Sequence, residues 1–217
     1  MGMCRRLQLL GLVVGVILVG CDGGAQWSHG PVVTPREGEP SGFVAAFSAA
    51  ALERTRHAVR YDPSYRRLGY PGGDVPAGTG VCSDVVIRSY RRLGIDLQVD
   101  VHEDMSAAFD AYPKRWGLTR PDPSIDHRRV PNLEVLFRRH GHQLPVGHDP
   151  AGYLPGDLVT WDLGGRPHIG IVVDRPTTDG ARYLIVHNVG AGTVLEDVLF
   201  AWPVTGHYRY YGSFRDR

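Results

Sequence analysis

The segments Leu154–Val159 (LPGDLV) and Pro167–Val172 (PHIGIV) decide the predicted fold of this chain. In each segment, aliphatic and β-branched residues stand beside turn-forming proline, glycine or aspartate. Short runs of this kind are typical of β-strands. They predict strands at Leu158–Trp161 and His168–Val173, and a similar run predicts a strand at Tyr183–Val189.

Two further strands are predicted near the C-terminus, at Val194–Phe200 and His207–Tyr211. Upstream of all these strands, apolar residues recur at helical spacing. They predict four helices: Phe43 to about Val59, a helix around Val86–Leu93 that Gly94 ends, Val101–Tyr112 and Pro131–His140. Helices followed by strands predict an α+β domain with an antiparallel sheet.

The N-terminus has the pattern of a bacterial export signal. Arg5 and Arg6 precede the apolar run Leu7–Gly20, which is short for a membrane span. This run ends in Leu-Val-Gly before Cys21, which resembles the lipobox that is cut before a lipid-modified cysteine. The alternative is an uncleaved membrane anchor with a chance cysteine at its end.

The export signal divides the chain into three parts. They are a lipoprotein signal peptide at 1–20, a lipid-anchored flexible tether at 21–41 and one folded domain at 42–217. The protein is then expected in the cell envelope, anchored to a membrane and facing the periplasm or the exterior. Asp22 would retain it at the inner membrane if an enterobacterial-type sorting rule applies.

The charge of the chain excludes one class of partner. The formal net charge of +1 becomes −1 when the two arginines of the signal are removed. A domain without excess positive charge lacks the electrostatic footprint of a nucleic-acid-binding protein.

Cys82 is the candidate nucleophile. Of the three cysteines, Cys4 leaves with the signal and Cys21 would carry lipid, so Cys82 has no disulfide partner in the exported domain. It stands where a glycine-rich loop leads into a helix, and the N-terminus of a helix stabilises a thiolate. Asp84 opposes this effect, so an imidazolium partner is expected. A buried structural cysteine is the alternative.

Histidine partners for Cys82 have to be chosen from ten. His168 and His187 differ from the others because each lies in a predicted strand among apolar neighbours. Together with a lone thiol, they favour a catalytic triad over satisfied core residues. A metal site at His140, His142 and His148 lacks matched cysteine or carboxylate spacing, and neither a metal nor another cofactor is predicted.

The proline-glycine-aspartate turn and the His-Ile-Gly-Ile-Val strand resemble the NlpC-type, papain-like cell-wall cysteine peptidases. The resemblance implies that Cys82 is the nucleophile, His168 the base and His187 the residue that orients it. Asn188 is the rival orienter, and only one of these two neighbours can face His168 because adjacent strand residues point to opposite faces. The chain departs from the family's Asp-Cys-Ser-Gly motif, since it has Val-Cys-Ser-Asp at 81–84.

A longer likeness covers roughly Ala46–Gly212. The segments Gly80–Val86, Val101–Met105 and Ile125–Asn132 are similar to a bacterial family known only as a domain of unknown function, as are His187–Gly190 and Thr205–Tyr210. The resemblance implies membership of that family but no activity.

The polar run at 126–129, Asp126, His127, Arg128 and Arg129, has two interpretations. It forms a loop held by local salt bridges before a helix, or it forms a substrate subsite together with Asp84. In the second case an arginine fork would bind a substrate carboxylate.

Three functions follow from these patterns. The first is hydrolysis of an amide bond in peptidoglycan, within the stem peptide or between peptide and sugar, through a thioester at Cys82. The second is an acyltransferase or thioesterase of the same fold that acts on a lipid or thioester. The third is an envelope lipoprotein that binds cell wall or a partner without catalysis.

Overall fold

The computed structural model describes residues 40–212 of the chain. The predicted signal peptide, the lipidation site at Cys21 and nearly all of the predicted tether lie outside the described residues. Within them, no helix is both long and apolar enough to cross a membrane.

Four α-helices occupy the first part of the described chain. They are α1 (Phe43–Arg54), α2 (Cys82–Arg91), α3 (Leu97–Ala107) and α4 (Val130–His140). All four were predicted, but α1 stops short of Val59 and α3 begins four residues before Val101. The early start of α3 has a local cause, because the side chain of Asp96 accepts the N–H of Gln98 at 3.1 Å and caps the helix.

The strands form two sheets. A small parallel pair joins β1 (Arg60–Tyr61) to β2 (Thr79–Gly80). The main sheet contains β3 (His142–Gln143), β4 (Leu158–Asp162), β5 (Pro167–Pro176), β6 (Tyr183–Asn188), β7 (Thr193–Glu196) and β8 (Val204–Arg209). Its strand order is β3-β8-β4-β5-β6-β7, and each pair is antiparallel.

This architecture confirms the predicted α+β class, with N-terminal helices packed on a C-terminal antiparallel sheet. The NlpC-type feature of a cysteine at a helix N-terminus is also present, since Cys82 begins α2. Three short strands, β1, β2 and β3, were not predicted because two-residue strands carry no periodicity. The predicted strand at Val194–Phe200 is shorter, since β7 ends at Glu196.

The main sheet is buried on both faces. On one face, Ile169, Ile171 and Val173 of β5 belong to a core shared with the helices. On the other face, Val172 of β5 packs in a second cluster with Trp161, and the connection from β7 to β8 contributes further apolar residues. Because successive side chains of β5 point to opposite faces, the strand contributes residues to two different cores.

The aspartate of the proline-glycine-aspartate turn fixes the start of β4. The carboxylate of Asp157 is fully buried and accepts the N–H of Leu154 at 2.9 Å. It also lies 2.8 Å from Nε2 of His207 and accepts Nε–H of Arg209 at 2.6 Å. Since both partners belong to β8, one carboxylate ties the turn to the neighbouring strand.

His127 is a buried histidine with consequences for stability. Burial lowers its pKa to about 3, and the positive charges of Arg91 and Arg128 add to this effect. The folded protein therefore holds this imidazole neutral at pH values where the unfolded chain, with its ordinary pKa of 6.5, binds a proton.

We expect the free energy of unfolding to fall as the pH is lowered from 6.5 toward 3. Each histidine held neutral in this way contributes a slope of about 1.4 kcal/mol per pH unit. Denaturant titrations at pH 7 and pH 4.5 measure the free energy of unfolding at each pH. In His127→Gln this free energy should change less between the two pH values than in the wild type, whereas the exposed His148→Gln should behave like the wild type. A wild-type change in His127→Gln would contradict this account of His127.

Candidate active site

Cys82 occupies the first residue of α2 and is almost completely buried. The backbone N–H groups of Ile169, Ser83 and Cys82 itself lower the pKa of the Cys82 thiol and favour the thiolate. Burial has the larger effect and raises the pKa of the Cys82 thiol to about 11, with the charge of Asp84 adding to the rise. The thiol is therefore protonated at neutral pH in this state of the protein.

The effect of the Ile169 N–H on the thiol indicates that Cys82 lies against β5 of the main sheet. Ile169 directly follows His168 on β5, so the sulfur lies against the backbone beside that histidine. The side chains of Ile169 and Cys82 share the core that faces the helices. The ring of His168 packs against that of Trp161, with the two centroids 5.8 Å apart.

His168 and His187 form a buried pair on adjacent strands. Nε2 of His168 lies 3.0 Å from Nδ1 of His187. Trp202 covers both imidazoles, with its ring centroid 5.9 Å from each. Burial, assisted by His187, lowers the pKa of His168 to about 3, so His168 is neutral and able to accept a proton.

Gly170 allows this pair to form. A Cβ at position 170 would lie 2.7 Å from Cγ2 of Ile185, 3.2 Å from Cβ of His187 and 3.2 Å from the ring of Trp161. Two of these separations are tighter than most real Cβ contacts, and the first cannot be met without movement. The glycine of the His-Ile-Gly motif thus lets β6 bring His187 next to His168.

Asn188 has a different environment from His187. Its side-chain oxygen accepts the N–H of Gly190 at 3.1 Å, and its strand partner is Thr193. Between the two residues left open as orienter, His187 is the one in contact with His168. The alternation of the strand separates them, because neighbouring residues point to opposite faces.

Asp84 and Arg128 are paired in the interior. Nε and Nη2 of Arg128 donate to the two carboxylate oxygens of Asp84, each at 2.9 Å. Asp84 also accepts the N–H of Val81 at 2.7 Å, and Ser83 donates to the carbonyl of Arg128 at 2.7 Å. These bonds hold the residues on either side of Cys82 to the loop before α4. Substrate contact by Asp84 and Arg128 stays a prediction.

The rest of the polar run is held by local contacts. Asp126 is buried, and its carboxylate accepts the N–H of Asp122 at 2.5 Å. Burial raises the pKa of Asp126. The guanidinium of Arg129 lies 4.1 Å above the ring of Trp116, which is exposed. Arg129 is the most accessible residue of the run, and its binding to substrate also stays a prediction.

Three further residues of the site were not predicted, because no sequence pattern indicated them. Tyr61 on β1 is half-buried, and burial raises its pKa to about 12, with Cys82 and Asp84 as the next contributors. Trp202 covers the histidine pair from the connection between β7 and β8. Glu196 at the end of β7 contacts His187 at 3.0 Å. Within residues 40–212, no group of histidine, cysteine, aspartate or glutamate side chains is arranged to hold a metal ion.

A buried cysteine at a helix N-terminus and a buried histidine pair on the sheet packed against the helices define a candidate cysteine-dependent site. Comparison with known proteins gives the family: residues 48–210 match the family described as Domain of unknown function (DUF1287), so the chain belongs to it. This confirms the membership predicted from the motifs. A similar curated protein is "Uncharacterized protein YijF" of Escherichia coli strain K12, 52% identical over 167 residues, which are 76% of this chain and 81% of that protein.

Two solved structures align with this chain at low identity. NlpC1 from Trichomonas vaginalis is 19% identical with a TM-score of 0.41, and the alignment covers 76% of this chain and 44% of that chain. A Staphylococcus aureus protein described as similar to lipoprotein, NLP/P60 family, is 13% identical with a TM-score of 0.41, over 81% of this chain and 43% of that chain. The present chain spans less than half of each.

The interior pair allows a test of whether Asp84 and Arg128 support the fold. We expect Arg128→Met to lower the free energy of unfolding by about 3–5 kcal/mol, because it leaves the buried carboxylate without its cation. The double variant Asp84→Asn with Arg128→Met should lose less, since no buried charge remains. Denaturant titration measures both. Equal losses in the single and double variants would show that the destabilisation does not come from an unpaired buried carboxylate.

Proposed function

We propose that this protein is a cysteine hydrolase that cleaves an amide bond of peptidoglycan. Cys82 acts as nucleophile, His168 as general base and then acid, and His187 as the residue that orients His168. The observation that carries the proposal is the buried contact between His168 and His187. The N–H of Ile169, the residue after His168, supports it by lowering the pKa of the Cys82 thiol.

The reaction begins from a neutral site. The thiol pKa of about 11 and the imidazole pKa of about 3 mean that the resting pair is a thiol and a neutral histidine. Nε2 of His168 is bonded to His187, so Nδ1 is the nitrogen that takes the proton. The thiol loses its proton to His168 as the sulfur attacks the amide carbonyl.

The remaining steps use the same groups. The attack forms a C–S bond and moves the carbonyl electron pair onto oxygen, where backbone N–H groups at the N-terminus of α2 can stabilise the negative charge. The protonated His168 gives its proton to the leaving amine as the C–N bond breaks. Water then hydrolyses the thioester and returns the thiol.

The choice of peptidoglycan rests on the sequence patterns. The order Cys, His, His and the two strand motifs resemble the NlpC-type cell-wall peptidases. The predicted lipid anchor at Cys21 would hold the domain in the envelope, within reach of the wall. Stem peptides also carry the carboxylates that the predicted subsite arginine, Arg129, would bind.

The test compares variants of the full chain, purified in detergent and incubated with purified peptidoglycan. Fragments released by the wild type are identified by mass spectrometry, which names the bond that is cut. We expect Cys82→Ala and His168→Ala to release none, because the first lacks the nucleophile and the second lacks the base. The exposed His57→Ala should release the wild-type amount.

Folding of each variant is checked by circular dichroism. Fragment release by a folded Cys82→Ala would overturn the proposal. If the wild type releases nothing although Cys82 reacts with iodoacetamide, the wall is not the substrate. Lipid and thioester acyl donors would then be the substrates to assay for an acyltransferase or thioesterase.

A further inference from the structure

Glu196 contacts the histidine pair from the strand at the edge of the sheet. Its Oε2 lies 3.0 Å from Nε2 of His187. The side chain of Glu196 is 48% exposed, whereas that of His187 is fully buried. The carboxylate therefore touches both water and the interior imidazole.

The hydrogen bonds form a chain of three side chains. Glu196 contacts Nε2 of His187, and Nδ1 of His187 contacts Nε2 of His168. Both ring nitrogens of His187 are thus used. The ring of Trp202, centred 5.9 Å from each imidazole, covers the pair.

The chemistry of these groups decides where the protons lie. A carboxylate carries no proton and only accepts hydrogen bonds. The proton between Glu196 and His187 therefore sits on Nε2 of His187. Burial lowers the pKa of His187 in spite of the opposing effect of Glu196, so the ring is neutral and carries this single proton. Its Nδ1 is then an acceptor.

The same reasoning continues to His168. An acceptor at Nδ1 of His187 requires a proton on Nε2 of His168, which lies 3.0 Å away. A neutral His168 with its proton on Nε2 has an unprotonated Nδ1. This is the tautomer that can take the thiol proton.

We propose that Glu196 is a positioning residue that fixes the tautomers of His187 and His168, so that His168 keeps an unprotonated Nδ1 as its proton acceptor. This inference rests on the proposed function of the Cys82 site. Without the carboxylate, His187 can carry its proton on Nδ1 instead. That proton would point at Nε2 of His168 and would move the proton of His168 to Nδ1, where it blocks the acceptance of a proton from sulfur.

The next residue along the chain offers a matched control. Asp197 pairs with Arg182 and has an exposed side chain, so Asp197→Asn removes a neighbouring carboxylate without touching His187. Glu196→Leu removes the acceptor while keeping a side chain of similar size. Glu196→Gln keeps an oxygen that can still accept from Nε2 of His187.

The closing experiment measures tautomers directly, on the full chain labelled with ¹⁵N-histidine. Two-dimensional NMR distinguishes protonated from unprotonated ring nitrogens at pH 7. In the wild type and in Asp197→Asn, we expect a proton on Nε2 of His187 and none on its Nδ1. In Glu196→Leu this preference should be lost, and Glu196→Gln should restore much of it.

Reactivity supplies the second readout. The rate of Cys82 alkylation by iodoacetamide at pH 7 should fall about tenfold or more in Glu196→Leu, because the general base is lost. It should recover in Glu196→Gln and stay unchanged in Asp197→Asn. A wild-type His187 with its proton on Nδ1 would overturn the proposal, as would wild-type alkylation in a folded Glu196→Leu.

Peptidoglycan digestion by the same samples separates this inference from the proposed function. If the tautomers and alkylation rates behave as expected but the wild type cuts no peptidoglycan, the proposed function fails and the role of Glu196 stands. If the wild type cuts peptidoglycan and Glu196→Leu leaves tautomers and alkylation unchanged, the role of Glu196 fails and the proposed function stands.

Discussion

The burial of β5 on both faces is the constraint on which the rest of the structure depends. Successive side chains of a strand alternate between faces, so β5 presents Ile169 and Ile171 to the helices and His168 and Gly170 to the opposite layer. The contacts between β5 and the helices fix the position of α2 and therefore the position of Cys82, its first residue. The contacts of the other face fix the histidine pair. A shift of β5 by one residue would exchange the two sets and destroy both the core and the site.

Burial also sets the electrostatics of the site. The helix N-terminus and the backbone N–H groups around Cys82 favour a thiolate, but the loss of hydration outweighs them and the thiol stays protonated. The same loss of hydration keeps His168 neutral. In the proposed reaction, the neutral thiol would have to give its proton to the neutral imidazole. In that reaction, the arrangement of protons on the two histidines decides whether His168 can accept the thiol proton, and Glu196 is proposed to set that arrangement.

The polar residues around Cys82 illustrate how a structural role and a functional role can be confused in a sequence. Asp84 and Arg128 were grouped as candidate substrate contacts because charged residues near a nucleophile often bind substrate. In the structure the two side chains form a hydrogen-bonded ion pair in the interior, although they are 44 residues apart along the chain. Their bonds to Val81 and Ser83 support the residues that flank Cys82. Arg129, with its partly accessible guanidinium over Trp116, is the member of the group best placed to meet a ligand.

The sequence by itself determined the α+β class, all four helices, the central strands and the residues Cys82, His168 and His187 as the group to examine. These follow from local signals: apolar periodicity, turn residues, a lone thiol and histidines set in apolar runs. The tertiary structure alone decided that His187 rather than Asn188 meets His168, and that Glu196, Tyr61 and Trp202 join the site. Strand register places these side chains, and register depends on packing between segments that are distant in sequence. A single residue such as Glu196 carries no periodicity, so only the pairing of β6 with β7 could place its carboxylate beside His187.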